Sequence, residues 1–326
     1  MHSVKVVAGL ALISLLVGCA VQPMSVSIPA TFYDHPLIDT RSLQPITPQA
    51  LAIQLRDMDV VIVGEYHGHQ ASHLLQAQLQ AQLFAARPQQ LLTLEMFEAD
   101  TQPVLDAYLA GEQGEDELIE DGRGWPNHKG SYRPLLEFAR WHQLPVIAAN
   151  APQDAVRCVG RQGPEWLARL TVEQAPWLPT EPWLDTPIYR ERFFSFMGQH
   201  DHGSTQQSRI NNRYHAQLLR DNTMASQILR ARQDYPGYQV LHLNGTFHSA
   251  ERQGVVAALL QRQPDLKIAV ISPVFRPADG ELSPQQLAQG DYLYLIAPLP
   301  ADYLDPERQR EAIQARFARA AETHCD

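Results

Sequence analysis

The sequence is poor in cysteine and lacks the compact motifs that mark several common enzyme and nucleotide sites. Its 326 residues include only three cysteines, Cys19, Cys158 and Cys325, too few for a zinc cage or a disulfide framework. It contains no G-x-S-x-G turn, Walker loop, G-x-G-x-x-G fingerprint or H-E-x-x-H pair, which argues against serine hydrolases, nucleotide-binding proteins and zincins. Acidic residues outnumber basic ones by 36 to 26, for a formal net charge of -10. This balance argues against nucleic acid as a partner.

Long apolar runs are also scarce, and the clearest one lies at the amino terminus. It covers residues 6–17, follows Lys5 and is too short to span a bilayer as a mature helix. The run ends in LVGC, at residues 16–19, which matches a bacterial lipobox. We therefore expect a signal peptide at 1–18 and acylation of Cys19, which would anchor the protein in a lipid bilayer. An ordinary signal peptide with an incidental cysteine is the alternative.

Ala20, rather than Asp, follows the cysteine, as in lipoproteins sorted to the outer membrane of Gram-negative bacteria. We expect a domain that faces the periplasm or the cell surface. In that oxidising compartment Cys158 and Cys325 could pair, but the sequence leaves their distance open.

The remaining chain divides into a tether and one large domain. Residues 19–48 carry several prolines with little periodicity, which predicts a flexible tether. From 49 to 326, apolar strand patterns alternate with amphipathic helix patterns, which predicts an α/β fold with a mostly parallel central sheet flanked by helices. Residues 154–236 show no strand pattern and predict a helical insertion, whereas the acidic, glycine-containing stretch 111–124 predicts a loop.

Two stretches end in the same way. Residues 60–67 read VVIVGEYH and residues 240–248 read VLHLNGTFH, so an apolar run twice leads into Gly-x-x-His. Each run predicts a buried strand, with the histidine at the start of the helix that follows. Because ligands bind at the carboxyl edge of parallel sheets, we expect His67 and His248 to share a site there.

Other predicted strands also end in polar side chains, namely Glu95 and Asn150, and Glu65 precedes the first histidine. Two imidazoles and two carboxylates suit a divalent metal such as zinc, iron or manganese, or a general acid and base. One hypothesis is therefore a metal-dependent hydrolase; the alternative is a set of hydrogen-bonded core residues. The candidate catalytic and metal-binding residues are Glu65, His67, Glu95 and His248.

Several segments together resemble the ChaN-like family. These are GEYHGHQASHLLQ at 64–76, LEMFEADTQ at 94–102, PVIAANAP at 145–152, AQLLRDNTMA at 216–225 and NGTFHSAERQG at 244–254. The family comprises iron-regulated, haem-binding lipoproteins and belongs to a superfamily shared with Tiki and TraB proteins and the erythromycin esterases.

The resemblance implies a haem carrier in bacterial iron uptake rather than an enzyme. It further implies a homodimer that encloses ferric haem and exchanges it with an outer-membrane receptor. A tyrosine is the expected axial ligand, because a phenolate favours ferric iron, and Tyr214 is the first candidate. Arg213 and His215 flank it and could receive a propionate. The alternative is that Tyr214 packs on a helix surface with its hydroxyl in water.

Overall fold

The computed structural model describes residues 29–179, 183–198, 206–277, 280–320 and 325. The predicted signal peptide at 1–18, the lipidation site Cys19 and the first part of the predicted tether lie outside these residues. None of the described helices is both long and apolar enough to cross a membrane.

Eight strands form one mixed sheet in the order β2-β1-β8-β7-β3-β6-β4-β5. The six strands from β8 to β5 in this order run parallel, while β1 pairs antiparallel with both β2 and β8. The predicted α/β fold with a mostly parallel sheet is thus confirmed. The strands are β1 (Leu37–Asp39), β2 (Gln44–Ile46), β3 (Val60–Glu65), β4 (Gln90–Glu98), β5 (Val146–Asn150), β6 (Gln239–Gly245), β7 (Ile268–Phe275) and β8 (Tyr292–Ile296).

Helices precede, connect and follow these strands. Short 3-10 turns lie at Ala99–Thr101, Pro164–Arg169, Ala175–Trp177, Thr246–His248 and Ala250–Arg252. The α-helices are α1 (Pro48–Leu55), α2 (Gln70–Ala86), α3 (Gln102–Ala110), α4 (Glu115–Asp121), α5 (His128–Ser131), α6 (Arg133–Trp141), α7 (Gln153–Gln162), α8 (Pro187–Gly198), α9 (Gln206–Asp234), α10 (Val255–Arg262), α11 (Pro284–Leu287) and α12 (Pro306–Ala320).

The central strand β3 shows why the sheet is covered on both faces. Its side chains alternate between the two faces. Val61 and Val63 join the hydrophobic cluster that includes residues of α1, α2, α3 and α6, whereas Val60 and Ile62 join the cluster that includes residues of α9 and α10. All four valine and isoleucine side chains are fully buried. Because helices cover both faces of the sheet, all four of these positions in β3 must be apolar.

The helix after the first motif begins at a side-chain cap. His69 accepts a hydrogen bond from Ala71 N–H through its Nδ1, at 3.2 Å, and α2 starts at Gln70. This cap satisfies one of the free amides of the first turn, and the helix begins three residues after His67. His67 itself lies in the turn between β3 and α2 rather than in the helix.

The predicted helical insertion lies between β5 and β6. Among its described residues there are helices α7, α8 and α9 and two 3-10 turns, but no strand. Helices α7 and α9 pack closely, and a Cβ on Gly160 would lie 3.6 Å from the Cβ of Ala216. Cys158 of α7 forms a disulfide with Cys325, with their Cα atoms 5.4 Å apart. The pairing that the sequence left open is thus present, and it ties the carboxyl end of the chain to the insertion.

Residues 37–46 lie within the range predicted to be a tether, 19–48, yet they form the hairpin of β1 and β2. Leu37 and Ile38 of β1 are buried, and β1 pairs with β8 from Leu37↔Tyr294 to Asp39↔Tyr292. The antiparallel strand β1 thus completes the hydrogen bonds of β8, and β2 forms the edge of the sheet. Ordered structure therefore begins before the predicted boundary at residue 49.

The prediction of a loop at 111–124 is wrong for its central part, because α4 lies within it. Glu117 accepts a hydrogen bond from Gly114 N–H at 2.6 Å, and Leu118 is fully buried. Three acidic residues in the first turn are favourable at a helix amino terminus. The same acidic residues that suggested a solvated loop stabilise the start of a short helix.

The helix expected directly after the second motif begins later than predicted, at Val255. Two 3-10 turns occupy residues 246–252, and Glu251 and Gly254 both have positive φ, at 58° and 55°. A Cβ at residue 254 would lie 2.3 Å from the carbonyl oxygen of His248. Gly254 therefore lets the chain turn back against His248 before α10 starts.

Candidate functional site

The carboxyl ends of β3, β4 and β6 bring the four candidate residues to one place. Glu65 ends β3 and pairs with Gly245, which ends β6. The N–H of Gly245 donates to Oε2 of Glu95 at 2.6 Å, and Nε2 of His248 lies 3.3 Å from Oε1 of the same carboxylate. Glu95 thus joins the second motif to the neighbouring strand β4.

Glu65 is the centre of the first hydrogen-bond network and is almost completely buried. Its Oε1 accepts from the hydroxyl of Tyr132 at 2.6 Å and faces Nδ1 of His67 at 2.7 Å. Its Oε2 accepts from Nε2 of Gln76 at 2.6 Å. Because a buried carboxylate needs such donors, Gln76 of α2 and Tyr132, which lies between α5 and α6, hold Glu65 in a fixed orientation.

His67 is oriented by this carboxylate. Its Nδ1 donates to Glu65, so its Nε2 is the atom available to a ligand, and 46% of the side chain is exposed. The ring also packs edge-on against Trp125, with the centroids 4.7 Å apart. Burial disfavours the imidazolium, but the hydrogen bond that His67 donates to Glu65 and the negative charge of Glu95 outweigh it and raise the pKa of His67 above its usual value. His67 is therefore a positioned group that can hold or give up a proton at the edge of the sheet.

His248 lies between two buried carboxylates. Its Nδ1 is 2.6 Å from Oδ1 of Asp221, and its Nε2 faces Glu95. Burial opposes its charge, but the negative charges of Glu95 and Asp221 raise the pKa of His248 to about 10. Burial likewise opposes ionisation of Glu95, but the cationic His248 holds the pKa of that carboxyl well below its usual range. At neutral pH His248 is a fixed cation.

Asp221 connects this cation to the helical insertion. It lies on α9 and is buried, which raises the pKa of its carboxyl despite the opposing charge of His248. Its Oδ2 accepts from the hydroxyl of Tyr189 on α8 at 2.7 Å, and that hydroxyl accepts from Nε2 of Gln217 at 3.0 Å. The insertion is therefore bound to the edge of the sheet by a continuous polar network.

The glycine of each motif makes room for the other motif. A Cβ on Gly245 would lie 2.8 Å from Nε2 of His67, and a Cβ on Gly64 would lie 3.1 Å from Oγ1 of Thr246. Both distances are shorter than ordinary van der Waals contact, so larger residues would push the two turns apart. The repeated Gly-x-x-His pattern thus has a packing reason.

The geometry does not support the predicted metal site. Among the residues that the structure describes, no group of three or more His, Cys, Asp or Glu side chains is arranged to hold a metal ion. The reason is visible in the pairings, since Glu65 is directed at His67 and protein donors, while Glu95 is directed at His248 and a backbone amide. The same groups instead form two carboxylate–imidazole pairs.

An open cleft lies above this edge of the sheet, with a volume of about 670 Å³. Four phenylalanine and tyrosine side chains line it, and two of these rings, Tyr66 and Phe196, are 37% and 53% exposed. Exposed apolar side chains grouped around a cavity are typical of ligand-binding sites. The cleft is lined by Glu65, Tyr66, His67, Arg192, Phe193, Ser195, Phe196, Gln217, Gly245, Thr246, Phe247, His248 and Gln289.

Tyr214, the candidate axial ligand, lies in the interior of the insertion. Its side chain is fully buried, and its hydroxyl donates to Oδ1 of Asp185 at 2.7 Å. Burial, and then the bond to Asp185, raises the pKa of Tyr214 well above its usual value, which disfavours the phenolate that ferric iron prefers. Its ring packs against Phe193, with centroids 5.2 Å apart. Phe193 lines the cleft, whereas Tyr214 is not among the described residues that line it. The alternative, in which the hydroxyl of Tyr214 lies in water on a helix surface, is wrong, because the side chain is buried and bonded to Asp185.

The other candidates from the sequence lie at different places. Arg213 lines a second cavity, between α7 and α9, and His215 is half-buried on α9, with its Nδ1 buried and without a hydrogen-bond partner in the described part of the chain. Asn150 ends β5, the outermost strand of the sheet, and its Oδ1 accepts from Ala151 N–H at 2.9 Å. These three side chains therefore do not join Glu65 and Glu95 at the centre of the edge.

Sequence reasoning missed the residues that hold the candidates in place, namely Asp221, Tyr132, Tyr189, Gln76 and Gln217. Four of them lie on helices and Tyr132 lies at the turn between α5 and α6, where no strand end marks them. Asp221 offered the clearest signal, because it lies within AQLLRDNTMA, one of the segments that carry the family resemblance.

A family model described as "Haem-binding uptake, Tiki superfamily, ChaN" matches residues 51–259, which is well over half of the chain. Among solved structures, ChaN of Campylobacter jejuni, described with cofacial haem binding, is similar over 81% of this chain and 98% of that one, with a TM-score of 0.61 and 16% identity. An erythromycin esterase variant in its open conformation covers 85% of this chain and 86% of its own, with 15% identity and a TM-score of 0.44. No curated protein sequence matches.

At 16% identity the likeness to the Campylobacter protein shows a shared fold. The family match is a separate finding. It spans both Gly-x-x-His motifs, Glu95 and the Asp221 helix, which are the parts that build the edge of the sheet. The chain therefore belongs to the haem-binding uptake family of the Tiki superfamily that includes ChaN.

Proposed function

We propose that this protein binds haem in the aromatic cleft above the edge of the sheet and acts as a lipid-anchored carrier in bacterial haem uptake. The observation that carries the proposal is the cleft itself, an open cavity of about 670 Å³ in a member of a haem-binding family. Cavities for cofactors are typically apolar with a few convergent polar groups, and this one matches that description.

The residues of the cleft fit a porphyrin. Phe196 and Phe247 lie with ring centroids 5.7 Å apart and offer an apolar surface. The guanidinium of Arg192 lies 4.4 Å from the centroid of Phe247, which places a cation at this surface for a carboxylate of the ligand. Bound haem would supply an iron that accepts an axial ligand, and the protein would supply apolar contact, charge and that ligand.

Two tyrosines are candidates for the ligand. Tyr66 lines the cleft and is partly exposed, and its ring packs on Phe275 with centroids 4.6 Å apart. Tyr214, the candidate from the sequence, lies behind Phe193 and would have to leave Asp185 to reach a ligand. Partial burial raises the pKa of Tyr66, and the positive charge of Arg192 acts against that rise. The open position of Tyr66 and the neighbouring cation of Arg192 favour Tyr66 as the axial ligand.

A haemin titration followed at the Soret band tests both the function and the ligand. The wild type is expected to bind haemin and to show the spectrum of a tyrosinate-ligated ferric haem. Tyr66→Phe should change that spectrum, while Tyr214→Phe should leave it unchanged. The reverse result assigns the ligand to Tyr214, and identical spectra for all three proteins rule out both tyrosines. If the wild type does not bind haemin, the carrier function is wrong.

The anchor, the dimer and the receptor belong to the same proposal. The lipobox at residues 16–19 would place the domain at the outer membrane, facing the periplasm or the cell surface. The cofacial haem binding of the Campylobacter protein makes a homodimer around haem the expected assembly, with an outer-membrane receptor as the partner for exchange. Mass spectrometry of Cys19 from bacterial membranes tests the anchor, because an unmodified thiol would contradict it. Light scattering before and after haemin addition tests the dimer.

A hydrolase is the second candidate function, because two carboxylate–imidazole pairs lie at one open cleft. Glu65 orients His67 through its bond to Nδ1 and leaves Nε2 of the ring free to face the cleft. A general base held by a carboxylate has this geometry. A panel of activated esters, assayed beside metal analysis of the purified protein, tests this function. Turnover that is lost in His67→Gln would support a hydrolase, whereas the carrier predicts colour with haemin and no turnover.

A further inference from the structure

Two adjacent aromatic side chains are exposed in the turn that precedes β1. Phe32 is 45% exposed and Tyr33 is 60% exposed. The backbone of this turn is fixed, because Oδ2 of Asp34 accepts hydrogen bonds from the amides of Ala30 and Thr31 at 2.6 and 2.8 Å. Both rings are therefore held outside the core by an ordered piece of chain.

His35 attaches this turn to helix α2. Its Nε2 lies 2.9 Å from Oε1 of Gln78, and its Nδ1 donates to the carbonyl oxygen of Tyr33 at 2.7 Å. Leu74 lies one helical turn before Gln78 and so on the same face of α2, and it is exposed as well. The exposed leucine therefore lies beside the turn.

The pairing of β1 places the turn at the carboxyl edge of the sheet. Strand β1 runs antiparallel to β8, and the N–H of Leu295, near the end of β8, donates to the carbonyl oxygen of Pro36 at 3.0 Å. The chain that precedes β1 therefore lies where β8 ends. Leu299, three residues beyond the end of β8, is also exposed.

The same edge holds the aromatic cleft. The strand order β1-β8-β7-β3 puts the turn three strands away from β3, about 14 Å at the usual spacing of strands. Phe275, which ends β7 between them, is exposed and packs on Tyr66, which lines the cleft. Exposed apolar side chains thus follow the edge from the turn to the cleft. We call this surface the apolar rim; it consists of Phe32, Tyr33, Tyr66, Leu74, Phe275 and Leu299.

The apolar rim offers no charge to a partner. None of its six side chains is ionised at neutral pH, and the chain as a whole has a net charge of -10, so an anionic surface would not be attracted to it. Exposed apolar groups that lie together are typical of interaction sites. A partner of the rim is therefore held by apolar contact.

The lipobox indicates which apolar partner is close at hand. Cys19 lies ten residues before Pro29, the first described residue, and ten residues of chain span at most about 36 Å. An acylated Cys19 would therefore hold the turn near a lipid bilayer. Tyrosine is a side chain typical of the boundary between lipid and water.

We propose that the apolar rim is a docking surface for a lipid bilayer, so that the cleft opens at the membrane and haem passes between the lipid and the cleft. This assignment rests on the proposed function, because the lipid anchor is what brings the rim to a bilayer. It goes further in naming the face of the domain that meets the lipid and the source from which the ligand enters.

The test uses the mature chain, purified from bacterial membranes and placed in vesicles of phosphatidylcholine whose acyl chains carry bromine, a short-range quencher of tryptophan fluorescence. Phe32→Trp adds an indole to the rim. Ile53→Trp is the matched control, because Ile53 is 57% exposed on α1, which ends shortly before β3 begins at the opposite edge of the sheet. The fluorescence that each variant adds to that of the wild type is compared in brominated and ordinary vesicles.

Docking through the rim predicts that brominated lipid quenches the indole added at position 32 at least about twofold more than the one added at position 53, because side chains at such a surface reach the acyl boundary. The quenching should persist in high salt, since apolar contact is not screened. Equal quenching at both positions, or none at either, would overturn the proposal. A blue-shifted indole at position 32 that the lipid does not quench would also overturn it, because a second copy of the chain would then cover the rim.

Haemin dissolved in ordinary phosphatidylcholine vesicles tests the route of the ligand. Phe32→Ser combined with Tyr33→Ser should slow the transfer of haemin from the vesicles to the protein at least about threefold, because apolar contact with the lipid is lost. The affinity of the double variant for haemin in detergent should equal that of the wild type, since neither residue is among the described ones that line the cleft. Equal transfer rates would refute the route through the lipid.

The quenching measurement needs no haem, so docking and haem binding can fail separately. A protein that docks through the rim but does not bind haemin would refute the carrier and keep the docking surface. Mass spectrometry of the same samples shows whether Cys19 is acylated. Quenching at position 32 in an unmodified chain would refute the anchor alone, whereas an acylated chain without quenching would refute the docking surface alone.

Discussion

Nδ1 of His248 lies 2.6 Å from Oδ1 of Asp221, which joins the second Gly-x-x-His motif to the long helix of the insertion. The opposite nitrogen of the same ring faces Glu95 on β4. One imidazole therefore links three parts of the fold, and both of its neighbours are buried carboxyls. This relationship explains why the motif ends in histidine, since an imidazolium can donate from both sides at once.

The charge on His248 makes stability depend on pH in the alkaline range. The folded-state pKa of about 10 lies above the usual value of 6.5, so the folded protein holds a proton that the unfolded chain releases. This contribution is fully present below pH 6.5 and is lost as the pH rises toward 10. We expect the unfolding free energy in urea to fall by about 2 kcal/mol or more over this interval, and the fall to be much smaller in His248→Gln. Parallel pH profiles for the two proteins would contradict this.

His242 should make stability depend on pH in the opposite direction, with a loss as the pH falls. It is fully buried, with Nδ1 2.8 Å from the hydroxyl of Thr93, and burial lowers its pKa to about 3. Between pH 6.5 and 3 the unfolded chain takes up a proton that the folded protein does not, so stability falls as the pH falls. In His242→Gln the loss of unfolding free energy between pH 7 and pH 4.5 should be reduced. Histidine NMR offers an independent check, because a His242 signal that titrates near pH 6.5 in the folded protein would refute the assignment.

Gly245→Ala should disturb the site through one methyl group. The new Cβ would lie 2.8 Å from Nε2 of His67, so the imidazole must move away from its bond with Glu65. We expect a loss of about 1–3 kcal/mol in unfolding free energy, as for other overpacked sites, and altered haemin binding. Gly130→Ala is the control, because nothing lies within 4 Å of its Cβ position, and it should not destabilise the protein. A Gly245→Ala variant as stable as this control would show that the two turns are not packed tightly.

The disulfide should stabilise the domain through the insertion. Cys158 and Cys325 are 167 positions apart, and removal of a native disulfide typically costs about 2–4 kcal/mol. The double substitution Cys158→Ser with Cys325→Ser should lower the melting temperature, and dithiothreitol should lower that of the wild type but not that of the variant. Equal melting temperatures with and without reductant in the wild type would contradict a structural role for the bond.

The sequence predicts the part of the site that strands carry. Glu65 and Glu95 were found because apolar runs mark the strands beside them, and parallel strands must bring their carboxyl ends to one edge. The partners outside the strands were missed, because the position of Tyr132 or Asp221 depends on how the helices pack against the sheet rather than on a local pattern. The short helix α4 was missed for a related reason, since burial of Leu118 is a tertiary effect that acidic composition conceals.

Tyr214 shows the limit of inference from motifs. Its place beside a family segment made it the candidate ligand, yet its hydroxyl is bonded to Asp185, a residue from a different part of the insertion. That contact cannot be read from the sequence around Tyr214. Tyr66, which lies within the first motif itself, is the one tyrosine among the described residues that line the cleft.

The most direct measurement is a haemin titration of the wild type and Phe196→Glu, with Leu304→Glu as the control. Phe196 lines the cleft and is 53% exposed, while Leu304 is 93% exposed and is not among the described residues that line it, so neither substitution removes a core residue. Haem binding in the cleft predicts a Soret band for the wild type and the control, and a loss of affinity of at least about tenfold in Phe196→Glu, because a carboxylate replaces apolar contact. Equal haemin affinity in all three proteins, or no binding in any of them, would contradict haem binding at this site.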